Sequence, residues 1–120
     1  MAPGRVLVVE DDDSLRQTLA EVLADDGHEV RVAPDGEVAL DEIADWEPEL
    51  IVLDLMMPRM DGWAFRRHQR SLPGAPATKI LILSAARDVE KAAVELEADA
   101  YLVKPFGLQD VLRSVAVLLG

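Results

Sequence analysis

The chain has 120 residues, a length typical of one domain, and half of them are hydrophobic. Its 12 basic and 23 acidic residues give a net charge of −11, which argues against direct nucleic-acid binding because that function needs a basic face. The chain has no cysteine, which excludes disulfides and cysteine-based zinc sites. Without a membrane-length apolar run or a signal-peptide pattern, a cytoplasmic location with no membrane contact is expected.

Short apolar runs that predict strands alternate with helical patterns along the chain. The predicted strands cover residues 6–9, 29–33, 50–53, 80–83 and 100–103. The first helix is predicted to start at a cap on Asp13 or Ser14 and to end at Asp26-Gly27. The second follows Asp35-Gly36 and extends as far as Trp46.

The third predicted helix opens at Asp61-Gly62 and has only a thin apolar face. Trp63, Phe65 and Leu72 supply that face, and two polar residues, Arg66 and Gln69, interrupt it. The fourth helix is predicted over residues 89–96, and the fifth, which is strongly apolar on one side, over 108–119.

Strict alternation of strands and helices predicts an α/β fold, with a parallel sheet covered by helices on both faces. Ligands of such sheets bind beyond the carboxyl ends of the strands. Five polar residues lie at or just past those ends: Glu10, Asp11, Asp54, Ser84 and Lys104. If the first and third strands are neighbours, their acidic ends meet at one edge of the sheet.

The residue types at this edge predict metal-assisted phosphoryl chemistry. Clustered Glu10, Asp11 and Asp54 offer the oxygen ligands that Mg²⁺ prefers, and a partly desolvated aspartate can attack phosphorus. Lys104 can neutralise charge there, and the Ser84 hydroxyl can donate to a phosphoryl oxygen. The acidic run also has a simpler explanation, since its later members can merely cap a helix. Two lone histidines, at positions 28 and 68, are interpreted as solvated surface groups.

Together these residues resemble the receiver domain of bacterial two-component response regulators. Four tracts carry the resemblance in order: residues 8–12 (VVEDD), 52–62 (VLDLMMPRMDG), 82–85 (ILSA) and 98–106 (ADAYLVKPF). The likeness extends from residue 6 to residue 119. It implies a flavodoxin-like, five-stranded parallel sheet in the order 2-1-3-4-5 with five flanking helices, and a regulatory domain rather than an enzyme.

The resemblance also assigns roles to individual residues. Asp54 would accept the phosphoryl group, and Mg²⁺ or Mn²⁺ would be bound by Asp11, Asp54 and the Met56 carbonyl, with Glu10 acting through water. Lys104 would pair with the phosphorylated aspartate, and the Lys104–Pro105 bond would be cis. Ser84 and Tyr101 would form the switch. The partner would be a histidine kinase or a histidine phosphotransfer protein, and a homodimer or an output domain could use the face of helix 4, strand 5 and helix 5.

Several positions depart from the usual pattern of the family. Glu10 stands where Asp is more frequent, and Ser84 where Thr is. Glu97 replaces a frequent glycine, so the end of the fourth helix is expected to be remodelled. Met56 and Ala86 are apolar at positions that influence water entry, which predicts slow loss of the phosphoryl group.

Two other functions stay open at this point. One is a flavodoxin-like binder of a small molecule or nucleotide, although an acidic loop at residues 10–13 would repel a bare phosphate. The other is a degenerate receiver that acts only through protein contacts. Residues 1–120 are expected to form one receiver domain without an output domain, either as a stand-alone regulator or as part of a longer protein.

Overall fold

The computed structural model describes residues 3–85 and 87–120, in which strands and helices alternate. The strands are β1 Arg5–Val9, β2 Glu29–Ala33, β3 Leu50–Asp54, β4 Lys79–Ser84 and β5 Ala100–Val103. The helices are α1 Asp13–Asp25, α2 Gly36–Ile43, α3 Gly62–Gln69, α4 Val89–Glu95 and α5 Leu108–Leu119, and a 3-10 turn covers Ala75–Ala77. Every predicted strand is present, with its ends shifted by one residue at most.

The strands form one parallel sheet in the order β2-β1-β3-β4-β5, which confirms the predicted topology. In the centre of the sheet, Val6 pairs with Leu50 and Val9 with Leu53, so β1 and β3 end side by side. Every residue of β3 is buried, which is typical of a central strand covered on both faces.

Successive residues of each strand point into two separate cores, as the two-residue period of a strand requires. Val6 and Val8 of β1 contribute to a cluster with buried residues of α1 and α5. Leu7 and Val9 contribute to the opposite cluster, which is built mainly with α2, α3 and α4 and contains Phe65. The sheet is thereby fixed between two helical layers, which leaves its carboxyl edge as the place where polar groups can gather.

The N-terminal caps of the first three helices are aspartates whose side chains accept a backbone N–H. Asp12, Asp35 and Asp61 each accept one such bond at 2.9 Å. The prediction of Asp13 or Ser14 as the first cap is therefore wrong by one position: Asp12 is the cap, and helical residues begin at Asp13. Trp46 and Leu72 lie beyond the ends of their helices rather than within them.

Two interpretations of the sequence are corrected elsewhere in the fold. His28 is buried rather than solvated, because its Nδ1 accepts the Gly4 N–H at 3.1 Å. The end of α4 is not remodelled, because Glu97 itself adopts the left-handed conformation, with φ 53°. Ala86, one of the positions considered for water entry, lies outside the described residues. Within residues 3–85 and 87–120, no helix is long and apolar enough to cross a bilayer.

Candidate functional site: an acidic cluster with one lysine

Four polar side chains converge at the carboxyl edge of the sheet. Glu10 directly follows β1, Asp54 ends β3, Ser84 ends β4 and Lys104 directly follows β5. Because these strands are parallel and adjacent or nearly so, their ends lie at the same edge. The meeting of the acidic ends of β1 and β3, which the sequence predicted, is present.

The carboxylates of this edge are close enough to share one cation. Glu10, Asp11 and Asp54 each offer an oxygen, and these oxygens lie within 4.8 Å of one another. Glu10 and Asp54 are buried, with exposed fractions of 1% and 3%, whereas Asp11 faces solvent. Such a site therefore combines two desolvated acids with one that is open to an incoming ligand.

Lys104 supplies the positive charge that balances the buried acids. Its Nζ lies 2.8 Å from Glu10 Oε1 and 3.2 Å from Asp54 Oδ2. Burial raises the pKa of Glu10 to about 7, and the repulsion of Asp54 adds to this, while hydrogen bonds from Lys104 and the Asp12 N–H oppose it. Burial acts to lower the pKa of Lys104, but its bond to Glu10 and the charge of Asp54 raise it overall.

The acidic loop after β1 is held in place by an arginine that the sequence reasoning missed. Arg16 of α1 donates to the carbonyl of Glu10 at 2.9 Å and forms an ion pair with Asp13. The Asp12 N–H donates to Glu10 Oε2 at 3.1 Å. A basic residue one helical turn after an acidic run was the available signal, because such a pair shares one helix face.

The loop after β3 orients Asp54. The Met56 N–H donates to Asp54 Oδ1 at 3.2 Å, and the Met56 side chain is exposed. Gly62 at the start of α3 donates to the Leu55 carbonyl at 3.0 Å. A Cβ at Gly62 would lie 2.4 Å from the Asp54 carbonyl oxygen, so only glycine permits this approach of helix and strand.

The remaining predicted residues are in β4, in β5 and directly after β5. Ser84 is fully buried at the end of β4. Tyr101, in the neighbouring strand, is 37% exposed, so part of its side chain is accessible to solvent. The Lys104–Pro105 peptide bond is cis.

The chemistry of these donors fits a hard divalent cation. Carboxylate oxygens suit Mg²⁺ or Mn²⁺, and Mg²⁺ commonly takes one or two carboxylates and completes its shell with water and phosphate oxygens. The exposed carboxylate of Asp11 gives such an ion access from solvent.

A family model for the response regulator receiver domain matches residues 6–116. The chain belongs to this family. The receiver domain is the regulatory domain of response regulators in two-component systems, so the resemblance seen in the four sequence tracts is confirmed.

Relatives of known sequence agree with this assignment. Response regulator MprA of Mycolicibacterium vanbaalenii is 42% identical over 119 residues, which cover 98% of this chain and 51% of that protein. The MprA protein of Mycobacterium avium is also 42% identical, over 96% of this chain and 50% of that protein. The chain thus spans about half the length of the curated relatives that it matches.

Solved structures agree as well. A putative response regulator from Chloroflexus aurantiacus superposes with a TM-score of 0.88 at 35% identity, covering 98% of both chains. The chemotaxis response regulator CheY4 of Vibrio cholerae gives a TM-score of 0.89 at 32% identity, covering 98% of this chain and 99% of that one. The flavodoxin-like fold implied by the sequence is therefore confirmed.

Proposed function

We propose that this receiver domain, formed by residues 1–120, accepts a phosphoryl group on Asp54 in the presence of Mg²⁺ or Mn²⁺. The donor would be a phosphohistidine of a histidine kinase or of a histidine phosphotransfer protein in the cytoplasm. The observation that carries the proposal is the convergence of Glu10, Asp11 and Asp54 within 4.8 Å, with Lys104 bonded to two of them.

The transfer step exchanges one bond to phosphorus for another. A carboxylate oxygen of Asp54 attacks the phosphorus, the bond between phosphorus and the donor's imidazole nitrogen breaks, and that nitrogen keeps the electron pair. Asp54 is suited to this role because its carboxylate is buried and one oxygen already accepts the Met56 N–H. An aligned and partly desolvated nucleophile needs little further reorganisation.

Glu10, Asp11, Asp54 and the Met56 carbonyl would hold the divalent cation. When bound, the cation neutralises the charge of the carboxylates and of the phosphoryl oxygens, which phosphoryl transfer requires more than acid–base help. Lys104, which bonds Glu10 and Asp54, adds a second positive charge at these carboxylates. After transfer its ammonium would bond a phosphoryl oxygen in place of the free carboxylate.

Ser84 and Tyr101 would move in response to the new charge and thereby alter the shape of the nearby protein surface. A phosphorylated residue carries about −1.5 to −2 charges and three acceptor oxygens, which the Ser84 hydroxyl can bond. Tyr101 lies in β5 beside β4 and is 37% exposed, and its ring would move inward when Ser84 moves toward the phosphoryl group.

The surface that would transmit this change is formed by α4, β5 and α5. Val94 in α4, Val103 in β5 and Val117 in α5 are all more than half exposed, so each of the three elements offers an apolar side chain to a partner. A second receiver or an output domain would bind there, and the domain itself would catalyse only its own phosphorylation and dephosphorylation.

Intact-mass measurement after incubation with acetyl phosphate and Mg²⁺ tests the proposal. We expect the mass of one phosphoryl group on the wild type and none on Asp54→Ala or in the presence of EDTA. A nucleotide-binding protein or a receiver limited to protein contacts would gain no mass under any of these conditions.

A further inference from the structure

Arg66 in α3 is a charged residue in a buried position, where it interrupts the thin apolar face of the helix. Only 6% of it is exposed. Its guanidinium donates to three neutral oxygens: Gln69 Oε1, the Leu96 carbonyl at 2.9 Å and the Glu97 carbonyl at 3.2 Å. Burial lowers the pKa of Arg66 and the like charge of Arg70 adds to this, so the position is costly for a cation without strong acceptors.

The two backbone carbonyls belong to the end of α4. The helix ends in a closed turn, in which the Ala98 N–H donates to the Ala93 carbonyl at 2.8 Å and the Glu97 N–H to the Val94 carbonyl at 3.1 Å. The carbonyls at a helix C-terminus carry partial negative charge, which attracts a cation. Arg70, which directly follows α3, donates to Glu97 Oε2 at 3.3 Å on the exposed side of this contact.

At the opposite end of α4, Val89 packs into the hydrophobic core, but the described residues include no side-chain cap. Asp88, which precedes the helix, makes no capping hydrogen bond with its side chain within the part of the chain that the structure describes. This uncapped end is also the one that follows Ser84 in the chain. Among the described residues, α4 is therefore hydrogen-bonded to Arg66 at its C-terminal end. Its N-terminal end, which is nearer the acidic cluster, is held by the packing of Val89 without a side-chain cap.

The free energy of the hydrogen bonds from Arg66 to the end of α4 can be compared with the free energy that couples two allosteric sites. Loss of one hydrogen bond to a buried charged group shifts an equilibrium by about tenfold or more, and Arg66 makes three such bonds. Allosteric coupling between two sites is typically about 5- to 150-fold. Pulling the end of α4 away from Arg66 would therefore oppose most or all of the free energy that phosphorylation supplies.

We propose that Arg66 is a positioning residue that fixes the C-terminal end of α4 to α3, so that α4 responds to phosphorylation only at its N-terminal end. The second half of this statement rests on the proposed function, whereas the first half does not.

Amide hydrogen exchange of Glu97 and Ala98 tests the proposal, with and without Mg²⁺ and beryllofluoride as a phosphoryl mimic. In the wild type we expect both rates to stay within about twofold on addition of the mimic, while amides at the start of α4 change more. In Arg66→Met we expect both amides to exchange about tenfold faster and to become sensitive to the mimic. Arg67→Met removes the same charge from an exposed site in α3 and should behave like the wild type.

Several results would overturn the proposal. One is a wild type in which Glu97 and Ala98 respond to the mimic, and another is an Arg66→Met variant with unchanged exchange. Faster exchange in that variant that is equal with and without the mimic would reduce Arg66 to a structural role. If Arg66→Met does not fold, Arg66→Lys, which keeps the charge but not the planar fork, must show the same changes.

Failure of the proposed function is visible separately. If beryllofluoride changes no amide of the wild type and acetyl phosphate adds no mass, Asp54 is not an acceptor. The comparison of the wild type with Arg66→Met without ligand then still decides whether Arg66 fixes the end of α4.

Discussion

Lys104 Nζ lies 2.8 Å from Glu10 Oε1, although the two residues are 94 positions apart in the sequence. The ammonium thus acts as the internal counter-ion of a buried carboxylate. It would also repel a divalent cation at the same acids, so we expect the affinity of the cluster for such a cation to depend on the charge of Lys104 and on the protonation of Glu10.

Removal of the Lys104 charge should strengthen cation binding. Two like charges a few ångströms apart in a partly buried site repel by several kcal/mol even at an effective dielectric constant of about 20. We expect Lys104→Met to bind Mg²⁺ at least about tenfold more tightly in isothermal titration calorimetry. Lys79→Met, which removes a charge from the exposed start of β4, should leave the affinity unchanged. Weaker Mg²⁺ binding by Lys104→Met would contradict the account.

The raised pKa of Glu10 should make the protein less stable as pH rises. Glu10 keeps its proton up to about pH 7 when folded but only to about 4.5 when unfolded, so the folded state binds more protons between these values. Relative to Glu10→Gln, the free energy of unfolding of the wild type should therefore fall by about 3 kcal/mol from pH 4.5 to 7. The raised pKa of Lys104 does not affect stability between pH 4.5 and 7. The stabilisation that it contributes is lost only when the pH rises above the usual pKa of lysine.

Urea unfolding of both proteins without divalent cations measures this difference. Added Mg²⁺ should offset the loss at pH 7 and above, since we expect it to bind only the folded, deprotonated cluster. A difference between the two proteins that does not change with pH would show that Glu10 does not titrate in this way.

Gly62→Ala should damage the site through the backbone. The added Cβ would lie 2.4 Å from the Asp54 carbonyl oxygen and 2.7 Å from Leu55 Cα, so α3 or the end of β3 must shift. We expect a loss of at least about 2 kcal/mol in the free energy of unfolding and much weaker Mg²⁺ binding. Gly107→Ala is the matched control, because its Cβ meets only a carboxylate oxygen, at 3.4 Å. Equal effects of the two substitutions would refute the argument.

Glu97→Gly should stabilise the protein. Glu97 holds φ at 53°, a conformation that costs a residue with a Cβ about 1 kcal/mol compared with glycine. Glu97→Ala loses the same exposed pair with Arg70 but keeps the strain, so the two variants isolate the backbone effect. We expect the free energy of unfolding, measured in urea, to be about 1 kcal/mol higher for Glu97→Gly than for Glu97→Ala. An alanine variant as stable as the glycine variant would show that the turn is not strained.

The sheet and its acidic edge were predictable because their signals are local. Continuous apolar runs mark buried parallel strands, and acids that directly follow such runs must lie at the carboxyl edge whatever the details of helix packing. Asp54 and Glu10 therefore needed only the strand order to be placed side by side.

Other features depend on contacts between distant segments, which no local pattern encodes. Arg66 and Gln69 interrupt the apolar pattern of α3 because Arg66, in a buried site, donates both to Gln69 and to the end of α4. His28 is buried because the Gly4 N–H, 24 residues away, satisfies its Nδ1. Glu97 could take a left-handed turn without glycine because its carbonyl accepts from Arg66 and its carboxylate contacts Arg70.

The most direct test of the central claim is to locate the phosphoryl group in the chain. After reaction with acetyl phosphate and Mg²⁺, borohydride reduces an aspartyl phosphate to homoserine, which peptide mass spectrometry assigns to one position. The account predicts homoserine at residue 54 alone, only when Mg²⁺ is present. Homoserine at Asp11 or elsewhere, or its absence from a protein that binds Mg²⁺, would contradict it.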